Sequence, residues 1–219
     1  MALIDRDRRR RSAELKTERM ERIVEAGRRA FLRLPFVEVD LNAVRRMADV
    51  PEGKPELYFG TREDLFIVIL ERALTEWLDG LEECLRDAPA QLSGDEAGEL
   101  MVTSLMAGTD LLRLMSLAPV VLEQRLQSAA PVLLVQKLRD RLGQLGSELE
   151  ARAPSLERGR GGDLLWRLLV TAVGLMPVAH ADGHLALLLD DGSDDDLHLR
   201  LDLTEELRAS ARALVSRYS

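Results

Sequence analysis

Cysteine is almost absent: the single Cys84 excludes an internal disulfide framework and suits a reducing compartment. Histidine is nearly as rare, with three in the chain and none before His180. There is no Gly-x-Ser-x-Gly elbow and no phosphate-cradling glycine loop after a strand, so no enzyme and no cofactor is implied. Long apolar runs are missing too. The longest, Leu164 to Ala179, carries Arg167 and is too short for a convincing membrane span, which makes it a buried helix. The opening MALIDRDRRRR is charged and has no apolar stretch of the kind a secretory signal needs, so the expected location is cytoplasmic. Aromatic residues are only 4% of the chain.

What remains is rich in leucine, alanine, glutamate and arginine, the composition of a helical protein. With 219 residues, 46% of them hydrophobic, the chain can bury a substantial core. Its formal charge of −8 argues against a protein that coats nucleic acid nonspecifically. Basic residues are nonetheless gathered at one end: Met1 to Arg22 holds eight Lys/Arg against five Asp/Glu, including the run Arg8, Arg9, Arg10, Arg11.

Along the chain, residues 1 to about 12 read as a flexible basic arm, because no apolar period is present. From Glu14 a helical period brings Leu15, Ile23, Ala26, Ala30, Phe31 and Leu34 onto one face, and Pro35 ends it. Asp40 is the expected cap of a short helix to Ala48, followed by a third short segment between Pro51 and Phe59. Thr61-Arg62-Glu63-Asp64 has the form of a capping box opening a long helix through Leu65, Ile69, Ala73, Trp77 and Leu81. Further helices are expected over 96–117, 119–128, 131–152 and 163–180, with Pro119 and Pro131 as helix starts and 154–162 as a linker. Alternating leucines at 197, 199, 201 and 203 after an Asp/Gly/Ser turn predict a β-hairpin near 185–203. Thr204 is then the expected cap of a last helix. The aspartates around that turn do not match the spacing of a calcium loop and read as a solvated turn, with no metal.

Two short helices between two longer ones is the plan of a helix-turn-helix reader, and the residues resemble the TetR family of transcriptional regulators. The similarity runs without a gap from RIVEAGRRAF through Phe36, Leu41, Val44, Ala48, Val50, Gly53, Tyr58 and Phe59 to GTREDL. The resemblance implies an all-α protein. Residues 1–60 would hold the arm and the DNA-binding unit, and 61–219 a helical ligand-binding and dimerisation domain. It also implies that Arg62 contacts phosphate, that Tyr58 lies at the DNA backbone, that Arg45 and Arg46 face the duplex and that Lys54 lies near the groove. Operator DNA and a small apolar effector are the implied partners. Met101, Leu105, Met106, Leu112, Met115, Trp166 and Val170 are the candidate lining of an effector cavity. A homodimer through 163–180 and 204–217 is expected, with Ala172, Gly174 and Ala179 permitting close approach.

Five positions depart from the family pattern: Pro35, Arg45 in place of a small residue, Asp49 in place of the turn glycine, Pro55, and Glu56 in place of a tyrosine. From Phe36 to Gly60 there are three basic residues and five acidic ones, a poor balance for phosphate neutralisation. Two functions follow. One is a ligand-responsive, DNA-binding regulator; the other is an interaction protein on the same scaffold that no longer reads sequence.

Overall fold

The computed structural model describes residues 2–50, 58–125, 129–180 and 201–219. Eight α-helices and one 3-10 turn account for its regular structure, and no strand occurs among the described residues. They are α1 (Ala2–Arg33), the 3-10 turn (Phe36–Glu38), α2 (Leu41–Met47), α3 (Arg62–Asp87), α4 (Gly94–Ala107), α5 (Thr109–Glu123), α6 (Ala129–Arg152), α7 (Gly161–Ala179) and α8 (Leu203–Arg217).

The first helix corrects the flexible arm: it is continuous from Ala2. Arginine is a good helix former, no glycine or proline interrupts the chain before Gly27, and Arg10 pairs with Glu14 one turn on at 3.5 Å. Its buried face is Ile23, Ala26, Ala30 and Phe31, while Leu15 and Leu34 remain exposed. Phe31 stacks on Phe36 at 5.6 Å, and both meet Phe66 edge-on, at 5.2 and 5.8 Å. These three of the four phenylalanines join α1, the 3-10 turn and the start of α3, so a small aromatic complement is concentrated where three elements converge.

The central element is α3, which packs against α1, α4, α5 and α6. All five residues of its expected stripe (Leu65, Ile69, Ala73, Trp77, Leu81) are buried. The helix expected over 96–117 is two helices instead. Ser93 and Glu96 form a reciprocal capping box at the start of α4, which stops at Gly108, and α5 leaves at 78°. Pro119 does not start a helix but lies inside α5. Thr204 is likewise not the last cap. The Asp202 carboxylate accepts from the Glu205 N–H at 3.0 Å, and starting α8 at Leu203 puts that leucine into the core.

Among the described residues, α7 is the single helix long and apolar enough to cross a membrane; its Leu164, Leu165, Leu168, Leu169 and Ala172 are buried in the bundle. It ends at Ala179, and most of the expected hairpin, residues 185–200, lies outside the described residues. The Arg160 N-cap supplies no side-chain capping hydrogen bond. Its role is taken in trans by Glu150 of α6, whose carboxylate accepts from the Gly159 N–H at 2.9 Å and the Gly161 N–H at 2.6 Å. Gly159 itself has φ +81°, a left-handed turn suited to glycine. Replacing Glu150 by alanine orphans those donors at the positive end of α7. Urea unfolding should show a loss of about 1–2 kcal/mol, the range for a lost cap.

Candidate nucleic-acid interface and effector region

The N-terminal unit is built around two caps read from sequence. Asp40 accepts from the Ala43 N–H at 2.9 Å to open α2, and Thr61 accepts from the Asp64 N–H at 3.1 Å to open α3. Between them the turn after α2 uses Asp49 at φ 50°, a conformation that aspartate tolerates better than most side chains. Arg22 of α1 donates to the Asp49 carbonyl at 3.3 Å, tying the first helix to that turn. The helix-turn geometry is therefore present up to Val50, with Val44, Ala48 and Val50 in the core.

The proposed DNA-facing residues fare differently. Arg45 does not face outward: it is 9% exposed, because its position adjoins the Val44–Ala48 face of a helix of only seven residues. Arg46 is exposed on the opposite side, beside the half-exposed Met47. Tyr58 is half-buried and packs on the core. Arg62 is held within the protein. It donates to the Val37 carbonyl at 2.8 Å and to Glu63 at 3.0 Å, and its guanidinium lies 5.0 Å from the Phe36 ring centre. Thus Arg62 fastens the 3-10 turn to α3, a role that no sequence signal revealed. Burial of Glu63 favours its protonated form, yet hydrogen bonds from its own N–H, Arg62 and Thr61 outweigh this and hold its carboxyl below the ordinary range. Arg8 to Arg11 lie on the N-terminal extension of α1, with Arg10 exposed. Lys54, Pro55 and Glu56 lie outside the described residues.

Ion pairs link this unit to the rest of the bundle. Arg28 of α1 contacts Glu76 of α3 at 2.8 Å and Asp110 of α5 at 3.4 Å, and Glu21 of α1 pairs with Arg72 of α3. For Arg28, burial weakens the charged form, but the two carboxylates more than offset it and raise its proton affinity. At the far end of α5, Arg125 donates to Thr61 Oγ1 at 2.6 Å and pairs with Asp64. The start of α3 is therefore clasped by the end of α5, another contact that separation in sequence concealed.

In the helical part, Met101 and Leu105 of α4 and Leu112 of α5 are buried, and Met106 and Met115 are half-buried. Trp166 and Val170 are not brought to them. They stand 43% and 46% exposed on the outer face of α7. Sequence periodicity missed this because α7 is apolar nearly all round. Three clefts among the described residues open between helices, and none of the three is lined by those seven residues. The first, about 360 Å³, lies beside Arg28, Glu76 and Asp110, and Trp77 lines it with an Nε1 that finds no partner among the described residues. The second, about 420 Å³, lies between the ends of α1 and α7 and the middle of α5. The third, about 330 Å³, lies between α3 and α6.

The described residues thus form an all-α bundle joined through ion pairs to an N-terminal unit of capped helices. Residues 71–216, two thirds of the chain, match the family model described as Tetracyclin repressor-like, C-terminal domain. The chain belongs to the tetracyclin repressor-like (TetR) family. The match begins inside α3 and so covers the helical part, leaving the N-terminal unit to be judged on its own residues. No curated protein matches the chain.

Proposed function

We propose that the protein is a cytoplasmic transcriptional regulator that binds operator DNA as a homodimer and changes that binding when a small, largely apolar effector enters its helical domain. The family match over residues 71–216 carries this reading. The Asp40- and Thr61-capped helices on either side of the Asp49 turn support a reader at the N-terminal end, with residues 1–60 as the DNA-binding unit and 61–219 as the effector and dimerisation domain. Arg28, which touches α3 and α5 from α1, supplies a physical route for coupling, since displacement of either helix disturbs its ion pairs.

A second reading is favoured by specific observations: Arg45 is buried, Arg62 is engaged with Val37 and Phe36, and the segment 36–60 is net acidic. On that reading the chain is a binding or interaction protein on the same scaffold that has lost sequence-specific DNA recognition. Fluorescence-polarisation titration with DNA from upstream of the protein's own gene separates the two. For the regulator, replacing Arg8 to Arg11 by glutamine should weaken binding and flatten its salt dependence. Each lost phosphate contact lowers the log–log slope by roughly 0.9. Equal affinity for upstream and scrambled duplexes would favour the second reading.

A further inference from the structure

The cleft between the ends of α1 and α7 differs from the other two in its electrostatics. Arg33 of α1, Arg113 of α5 and His180 line it, and none of its lining residues among the described ones is acidic. This occurs in a chain with 38 acidic residues against 30 basic ones. Elsewhere the structure pairs its arginines across helices: Arg28, Arg72, Arg125, Arg141 and Arg208 each meet a carboxylate from another element. Among the described residues, Arg33 and Arg113 make no such pair, and the one side-chain hydrogen bond between lining residues is local, from the Ser116 hydroxyl to the Arg113 carbonyl at 2.7 Å.

Much of the remaining lining is apolar: Phe31 and Met176 are buried, Leu117 is half-buried and Leu34 is left 43% exposed. Its volume of about 420 Å³ falls within the roughly 300–1,000 Å³ of small-molecule sites. An apolar body would cover Leu34 and Leu117, and an anionic head would take the forked donors of the two arginines. From the unpaired cations that share this cleft with apolar side chains we infer that it binds a monomeric amphipathic organic anion, a carboxylate or related acid on a short hydrocarbon body. The site is separate from the Met101–Leu112 region and is independent of whether the chain reads DNA.

The test is calorimetric titration of the full chain with decanoate below its micellar range. Saturable binding of one molecule per chain is expected, with decylamine and decanol at least about tenfold weaker. Shortening the chain should weaken binding about fourfold per methylene removed. The Arg33→Gln/Arg113→Gln pair should lose at least about tenfold, while the Arg33→Lys/Arg113→Lys pair should lose less, because the charge remains although the forked donors are gone. Ser116→Phe fills the cleft with both charges intact and should abolish binding, and all three variants alter exposed or half-buried positions, so the helical circular-dichroism signal should be unchanged. Absent or non-saturable binding would overturn the inference. So would decylamine binding as tightly as decanoate, or full affinity in the glutamine pair or in Ser116→Phe. Co-sedimentation with anionic vesicles without decanoate binding would overturn it too, making the patch a lipid-surface contact.

Discussion

Gly146→Ala should lower the midpoint of urea unfolding by about 1 M or more, while Gly143→Ala, one turn earlier in the same helix, should raise it. A Cβ at Gly146 would lie 2.1 Å from the Gly162 nitrogen and 2.5 Å from the Gly161 carbonyl carbon. The reciprocal Cβ at Gly161 would lie 2.2 Å from the Gly146 carbonyl oxygen. Here α6 and α7 touch backbone to backbone, and backbone atoms have no rotamer through which to yield. Overpacking of flexible side chains already costs about 1–3 kcal/mol, so roughly 3 kcal/mol is a lower expectation for this contact. At Gly143 an added Cβ meets nothing within 4 Å, and alanine gains about 0.5–1 kcal/mol of helix preference. With a urea slope of about 1–3 kcal/mol per molar for a small protein, the two variants move in opposite directions by measurable amounts. If both shift alike, the close α6–α7 crossing does not exist in solution.

Trp166→Glu combined with Val170→Glu should turn a dimeric protein into a folded monomer at micromolar concentration. Trp166, Val170 and Gly174 recur at four-residue spacing along α7, with Pro177 on the same side, and all four are exposed. No heavy atom lies within 4 Å of a Cβ built at Gly174, so a second helix has room to approach. Ala172, grouped with Gly174 in the sequence reading as an interface position, is fully buried and serves the protomer's own core. Burying Trp166 and Val170 against a second copy would contribute roughly 3–6 kcal/mol, so their loss should weaken association by about two to four orders of magnitude. Because both side chains face outward, the helical circular-dichroism signal should not change. Sedimentation velocity decides the matter. A wild-type monomer, or a variant that remains dimeric, would mean that this apolar face serves some other purpose.

Much of the local structure was legible because its causes are local. Asp40 and Thr61 offer side-chain oxygens three residues before unsatisfied N–H groups, so α2 and α3 start where the sequence puts them. The stripe Leu65, Ile69, Ala73, Trp77, Leu81 is buried because its four-residue spacing keeps these side chains together along one side of the helix. Proline was less informative. Pro35 does end α1, yet Pro119 lies within α5, where packing of Leu114, Ala118 and Val121 outweighs the lost hydrogen bond. The glycines of the 154–162 linker read as flexible spacing, whereas Gly161 and Gly162 are the surface on which Gly146 rests.

By itself, the sequence determined the helical class, the caps of α2 and α3, and the family to which the chain belongs. Those rest on composition, on spacing within a turn or two, and on an ungapped run of residues. Only the tertiary structure decided what each charged or apolar side chain meets. Arg62 carries the same charge whether it reaches phosphate or the Val37 carbonyl, and Arg45 is basic whether it is exposed or buried. Trp166 looks like core in a helix apolar on nearly every side, and its place on the outer face follows from where α6 and α8 happen to cover α7. Periodicity reports that a face is apolar; which neighbour covers it is set by contacts between residues far apart in the chain.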